Sequence, residues 1–520
     1  MKSAQEDQEL GRGSGTEAAD AGGLPMPTVR GLRVLFVALI TSSVVIVAIW
    51  GWLAATHIDD RYRIDHVSGV HMALAWDVNH GTLYPPLYDG RTYGGTRYMP
   101  LPIVIDAAVA RLTGDYLVAG KLLSYAFFLV LLSLLIVLLR KQRCPWALAV
   151  GLAGMLLVTE TGFAASMDAR SDALPVILQV GAVGLVLHRR GPAATVGGAA
   201  LAALAFVAKV TAVWAPIAIG VWLLVENRRR LLQFAVAYVG FAGALLGAFA
   251  LASGGRLFEN VFGLSGAGLT GVGPLLRSPY RFFHEAIPQA IEAWALVPLV
   301  VASVWLMVRR RKLSIWALGL AGYLLVLMVM LADRGVGWNQ LIDLVVLTIL
   351  VVGELAGGAS EVPRLRPVAA FIAVTVLWLN ITGLAFLFGP EIKKVRDPAF
   401  LATITAQPFA GSVDATTSVL AEDPYVSVSL DRRPVVLDPF MFITVAQRDP
   451  AALQDLLNRI RAHEFDLVVL RVSLEDPSMA SWFEDEAFGS RVADALRANY
   501  GNETWVSGYY TYTPLPPPNA

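Results

Sequence analysis

Cysteine is almost absent: the 520-residue chain holds one, Cys144, between Arg143 and Pro145. A single thiol excludes an internal disulfide and a cysteine-based metal site, so any part folded outside a cytoplasm must be held by packing alone. Charge is scarce as well, since Asp, Glu, Lys and Arg supply 16% of the residues, against ~25% in an ordinary soluble domain. The 41 basic and 41 acidic residues cancel. With no basic excess to neutralise phosphates, nucleic acid is not an expected partner. What the chain has instead is apolar residues, 56% of the total, with a mean hydropathy of +0.58. Most of it must face a lipid bilayer.

Eleven apolar runs recur, at about Val34–Ala55, Leu117–Leu139, Trp146–Thr161, Ala173–Leu187, Thr195–Ala208, Thr211–Val225, Leu231–Ala252, Glu292–Val308, Ile315–Ala332, Leu341–Leu355 and Val368–Phe388. The expected fold class is an α-helical polytopic membrane protein of about eleven transmembrane helices. Several runs fall short of the ~20 residues that cross a bilayer, which implies tilt, thinning or buried ends. Basic clusters at Arg140 to Arg143, Arg189 and Arg190, Arg228 to Arg230, Arg309 to Lys312, and Arg364 and Arg366 fall in every second connection. The positive-inside rule places all five in the cytoplasm. Arg30 and Arg33 put the N-terminus there too, and an odd number of spans leaves the C-terminus outside. The expected location is the inner (plasma) membrane, with residues 1–33 as a cytoplasmic tail, disordered over Met1 to Thr28, and the first run as a retained anchor.

The outer side carries the chemistry. A long first loop, 56–116, holds Asp59, Asp60, Asp65, four histidines (His57, His66, His71 and His80) and the segments Gly81-Thr-Leu-Tyr-Pro-Pro-Leu-Tyr88 and Tyr98-Met-Pro-Leu-Pro102. A loop that merely connects needs neither this length nor this patterning. Apolar spacing predicts a helix over Asp65 to Asn79 lying along the membrane surface, then an extended Pro-rich stretch and a second helix from Leu101 to Leu112. Asp65 starts the first helix either as an N-cap or as a group facing a site. The histidine spacing does not suit a zinc site; a loosely held Mg²⁺ or Mn²⁺ stays open.

The order of an acidic residue, the Leu-Tyr-Pro-Pro-Leu-Tyr segment and Tyr-Met-Pro-Leu-Pro before a helix resembles the first outer loop of GT-C glycosyltransferases. These include the protein O-mannosyltransferases, the lipid A aminoarabinose transferases and a bacterial group related to the Rgt lipopolysaccharide transferases. Ser166-Met-Asp-Ala-Arg-Ser-Asp-Ala-Leu174, Ala208-Lys-Val-Thr211 and Trp338-Asn-Gln-Leu-Ile-Asp343 extend the likeness to that last group over roughly residues 33 to 390. The resemblance implies a membrane-surface cavity, a polyprenyl-phosphate-linked sugar donor, hexosyl or pentosyl transfer and an acidic catalytic base. By position the base is Asp65, with Asp59 and Asp60 as alternates.

Such a transfer needs a base for the acceptor proton and cations for the departing phosphate. Lys121, Arg170 and Lys209 are the candidates for the phosphate, although Lys209 also fits an interfacial lysine that snorkels. Asp168 and Asp172, four apart, share a face if helical and either contact substrate or a cation, or mark a helix start. Tyr84, Tyr88 and Asn339 are further candidates for substrate contact, although Asn339 and Asp343, four apart at the start of a span, fit a structural hydrogen bond better as a pair. The loop from Ser253 to Ile287, with Gly263, Gly266, Gly268, Gly271 and Gly273, is either a lid or a mobile connection.

Beyond about Gly389 the composition turns soluble, and residues 390–520 are expected to form a small extracytoplasmic α/β domain. Its elements are extended runs at Ser418–Leu420 and Pro434–Leu437, helices at Ala451–His463 and Arg491–Tyr500, a buried strand at Phe465–Arg471 and a final strand at Trp505–Tyr512. The acceptor, whether glycan, lipid or protein, is not legible. A transporter or flippase is the competing class, disfavoured because no inverted repeat is visible and the polar residues gather at one face.

Overall fold

The computed structural model describes residues 29–264, 272–286, 294–309, 314–333, 336–414 and 416–516. The leading tail to Thr28, residues 265–271 and 287 of the Gly-rich loop, and three of the four basic residues from 309 to 312 lie outside the described residues. Each of the eleven apolar runs contains a helix. Among the described residues five are long and apolar enough to cross a membrane, or six if one bent pair counts as a span. The rest, such as Trp214–Glu226 and Val297–Arg309, have as few as 13 residues, about 20 Å of helix against the ~30 Å of a hydrocarbon core.

The bent pair explains how one expected span becomes two pieces. Trp146–Met155 tightens into a turn at Leu156–Val158, and the chain then swings by 74° into Glu160–Met167. Thr159 is extended, and its hydroxyl accepts the Gly162 N–H at 3.0 Å, starting the new helix. Only glycine fits at 162, since a Cβ there would lie 2.0 Å from the Leu156 carbonyl oxygen. The bend carries the 168–172 turn inward.

Leu341–Glu361 is buried almost all round and packs against Val297–Arg309, Ile315–Met330 and Arg366–Gly383. A helix apolar on every face belongs in the middle of a bundle. Arg228–Ala252 is its opposite, with Leu232, Val236, Val239 and Leu251 exposed, as a lipid-facing helix requires. Contacts pair some of the basic connections with neighbouring helix ends. Arg143 pairs with Glu361 at 2.6 Å, and Arg230 donates to Thr195 Oγ1 and the Val186 carbonyl, both at 3.1 Å.

In the first long loop, 56–116, helices form at His66–Asn79 and Pro100–Thr113. The former is not an amphipathic helix with a free apolar face. Ser68 to Ala75 and Asp77 are buried between Pro100–Thr113 and the short helix Pro424–Ser429 of the C-terminal part. Its small and apolar residues occupy both faces, so two partners are needed to cover it. At Gly69 the approach is closest: a Cβ would sit 2.2 Å from Asp423 Oδ1.

The C-terminal part holds a four-stranded sheet, β1 (Val419–Ala421), β2 (Leu467–Leu470), β3 (Tyr500–Val506) and β4 (Tyr509–Pro514), in the order β1-β2-β4-β3. β1 and β2 are parallel, and the other pairs are antiparallel. Helices Pro450–Arg461 and Ser490–Asn499 match expectation. The final strand does not: it is a hairpin turning at Ser507-Gly508, both with positive φ, the signature of a two-residue connection. Pro434–Leu437 is not in the sheet, and Val436 instead bridges Tyr93 of the first loop.

Candidate active site

Four connections converge at one end of the bundle. The first contributes Asp65. It is extended, and its Oδ1 accepts the Ser68 N–H at 2.9 Å, so the capping role is real. The other oxygen is committed elsewhere, with Oδ2 3.2 Å from Arg170 Nη1. Capping and site-facing roles therefore coexist. Burial raises the Asp65 carboxyl, but the charges of Arg170, His66 and Arg471 and the Ser68 N–H outweigh it and hold it well below the usual range. The side chain stays 36% exposed.

The second connection is a turn, not the helix that would place Asp168 and Asp172 on one face. Asp168 ends Glu160–Met167, Ser171 takes φ 53, and Asp172 leads into Ala173–His188. A left-handed serine is uncommon, and here it folds both carboxylates around Arg170. Arg170 Nη2 lies 2.5 Å from Asp168 Oδ2, and its Nε lies 3.5 Å from Asp172 Oδ2. With Asp65 this makes three carboxylates around one guanidinium, which fills the position a divalent cation would take among them. Burial, then neighbouring carboxylates, push Asp168 up against the pull of Arg170, whereas Lys209 and Arg170 hold Asp172 down.

The third connection places Lys209 after Pro192–Ala208, with Nζ 3.2 Å from Asp172 Oδ1. The fourth supplies Asn339, whose amide donates to both Asp172 oxygens at 2.9 and 3.0 Å. Asp343 has the structural partners expected of it, accepting from Trp214 Nε1 at 2.7 Å and Gln179 Nε2 at 3.2 Å. Asp65, Arg170, Asp168, Asp172, Lys209 and Asn339 thus form one connected set.

Other candidates are placed elsewhere. Lys121 is fully buried, and its ammonium bonds the His57 and Asp60 carbonyls. Asp60 also accepts from His57 at 2.5 Å, and Asp59 is exposed. Lys121, His57 and Asp60 tie the start of the first loop to the helix Tyr116–Lys141, and neither they nor Asp59 touch the Arg170 cluster. Tyr84 is buried, with its hydroxyl on the Tyr98 carbonyl at 2.8 Å, and Tyr88 stacks on Tyr93. Both shape the loop. Among the described residues no group of three or more His, Cys, Asp or Glu is arranged to hold a metal.

A cavity of about 300 Å³ opens beside the cluster, lined by Arg170, Asp172, Lys209, Asn339, His71 and Arg97 among others. Arg97 and Asp333, 3.7 Å apart, also line a second cavity of about 480 Å³ against the C-terminal helix Pro439–Arg448. Sequence reading missed Arg97, although it directly precedes the Tyr98-Met-Pro segment. It also missed His71 as a wall residue, and the Asp333 turn, which Arg281 grips through the Leu331 and Asp333 carbonyls.

Apolar spans, broken helices and this cluster at their ends define a multi-pass membrane protein with the GT-C fold. The chain resembles ArnT from Cupriavidus metallidurans bound to undecaprenyl phosphate, with a TM-score of 0.56 and 13% identity over 93% of this chain and 98% of that one. The apo state of ArnT gives 0.55 and 12% over the same shares. The archaeal oligosaccharyltransferase AglB from Archaeoglobus fulgidus, in complex with an inhibitory peptide and a dolichol-phosphate, gives 0.51 and 9% over 94% of this chain and 75% of that one. No family model and no curated protein matches the chain by sequence.

Proposed function

We propose that the protein is an inverting glycosyltransferase that moves a hexose or pentose from a polyprenyl-phosphate donor to a hydroxyl on the outer face of the plasma membrane, with its N-terminus inside and its C-terminal domain outside. One observation carries the reading: a carboxylate with a partly exposed side chain, Asp65, is joined through Arg170 and Asp172 to Lys209 at the mouth of a cavity, at the end of an apolar bundle. The fold shared with two proteins whose structures hold a polyprenyl or dolichol phosphate supports it.

Asp65 takes the acceptor hydroxyl proton as the oxygen attacks the anomeric carbon. The bond from that carbon to the phosphate oxygen breaks, and the electron pair leaves with the polyprenyl phosphate. Arg170 and Lys209, neutralised by carboxylates at rest, stabilise the charge that develops there. Asn339 holds Asp172 and so sets the reach of Lys209. A single displacement inverts the anomeric centre. The acceptor, a glycan, lipid or protein, approaches from the aqueous side along the wall that Arg97 shares between the two cavities.

The test is sugar transfer from polyprenyl-phosphate donors in membranes carrying wild-type or Asp65→Asn protein. Transfer by the wild type that Asp65→Asn abolishes supports the assignment. Full activity in the variant removes Asp65 from the role, and solute uptake into sealed vesicles without a transfer product would indicate a transporter instead.

A further inference from the structure

We propose that Arg471, from the C-terminal sheet, is a positioning residue for the candidate base: it holds His66, the neighbour of Asp65, in the tautomer that carries its proton on Nε2. The inference rests on the transferase reading for its catalytic consequence, but not for the contact itself.

Arg471 follows β2, and Glu422 and Asp423 follow β1. These strands are parallel, with Ala421 opposite Val469, so their carboxyl ends open to the same side. That is where α/β sheets present binding groups. Here the edge meets the N-terminus of His66–Asn79. Arg471 Nη1 lies 3.4 Å from His66 Nδ1. A guanidinium only donates, so Nδ1 must offer its lone pair and the ring proton must sit on Nε2. Around this contact the C-terminal part closes a ring of restraints. The Arg471 N–H donates to Glu422 Oε2 at 2.9 Å, Trp482 Nε1 donates to Glu422 Oε1 at 2.9 Å, and Trp482 meets the His66 ring edge-on at 5.9 Å. Among the described residues neither His66 Nε2 nor the rest of the Arg471 guanidinium makes a hydrogen bond.

His66 is half-buried, which disfavours its charge. The groups facing it are Asp65 from its own helix, Arg471 and Asp423 from the C-terminal part, and Arg170 from the 168–172 turn. Burial acts first against the charged ring, and the two arginines add to it against the pull of the two carboxylates. A neutral His66 with Nε2–H outward offers a donor to the acceptor beside Asp65 and adds no positive charge that would weaken Asp65 as a base. A protonated His66 would lose the bond to Arg471 and do the reverse.

The experiment uses the full-length protein in detergent or nanodiscs. Diethylpyrocarbonate modifies neutral imidazole, so its rate at His66, followed by peptide mass spectrometry across pH, reports where that ring titrates. The expected result is a midpoint below that of a free histidine in the wild type, raised by about one pH unit or more in Arg471→Met and kept low in Arg471→Lys, which retains charge and donor. The acid limb of the kcat/KM profile should move up by the same interval in Arg471→Met and stay in Arg471→Lys. An unmoved midpoint in Arg471→Met overturns the proposal, as does a uniform loss of activity at every pH that lysine does not rescue. If the wild type transfers no sugar, the transferase reading fails, while the modification midpoints still decide whether Arg471 governs His66.

Discussion

Arg170 Nη1 lies 3.2 Å from Asp65 Oδ2, and the same guanidinium reaches Asp168 and Asp172. A residue of the first long loop and a turn between two apolar helices are thereby made parts of one site. The cation favours the ionised form of Asp65, while its tightest contact is with Asp168, at 2.5 Å.

Asp65→Asn separates the two jobs of this side chain. Asparagine caps a helix about as well as aspartate, so thermal unfolding in detergent should stay near wild type. Transfer should fall by about 10²- to 10⁴-fold, the range for a lost general base. Asp65→Ala should show the same loss and in addition about 1 kcal/mol of lost stability from the missing cap.

Lys209→Met removes the ammonium 3.2 Å from Asp172. A charge-assisted hydrogen bond contributes about 1.5–3 kcal/mol, so kcat/KM for the donor should fall roughly 10- to 100-fold. Direct binding of polyprenyl phosphate should weaken in parallel. Unchanged binding would take Lys209 out of the phosphate site.

His71 is buried, and its Nδ1 makes no hydrogen bond among the described residues. Burial, with Arg170 and Lys209, pushes its pKa down to about 4 despite Asp172 and Asp65. The unfolded chain then binds the extra proton between about pH 6.5 and pH 4, so stability is present above that window and is lost as pH falls through it. His71→Gln should flatten the fall in melting temperature between pH 7 and pH 5 relative to wild type.

Gly69→Ala tests the seat of the C-terminal part on the Asp65 helix. The new methyl would lie 2.2 Å from Asp423 Oδ1 and 3.0 Å from the Tyr425 nitrogen, most of it rigid backbone or capping carboxylate. Overpacking of this kind costs about 1–3 kcal/mol. Membrane insertion should survive, transfer should drop, and proteolysis of the C-terminal part should accelerate.

The proposed orientation is checked by labelling. In a Cys144→Ser background, Asp59→Cys, at an exposed position of the first loop, should react with a membrane-impermeant maleimide in intact cells. Arg189→Cys, also exposed, should react only after permeabilisation. The reverse pattern inverts the topology.

The helices were legible because lipid exposure demands apolar residues on nearly every face, and such runs stand out from sequence in any order. Asp65 stood out only through the motif order of the first loop and its resemblance to GT-C glycosyltransferases, whereas Arg170, Asp172, Lys209 and Asn339 were legible from their places beside apolar runs. A charge or amide at the end of an apolar run has few places to go, so these residues announce themselves, and alternating basic loops assign them to one side. Lys121 obeyed the same logic and went elsewhere, since nothing local to it distinguishes a buried tether to the His57 and Asp60 carbonyls from a free cation.

What the sequence by itself determined is the set of apolar helical runs and the end at which polar residues collect, because each follows from the cost of placing charge in hydrocarbon; of the eleven spans it led us to expect, five or six among the described residues are long enough to cross. The 74° break at Thr159, the wrapping of three carboxylates around Arg170 and the placing of Arg471 against His66 were decided only by the tertiary structure. They depend on the close approach of Gly162 to the Leu156 carbonyl, a left-handed Ser171 and the parallel pairing of β1 with β2, none of which apolar periodicity encodes.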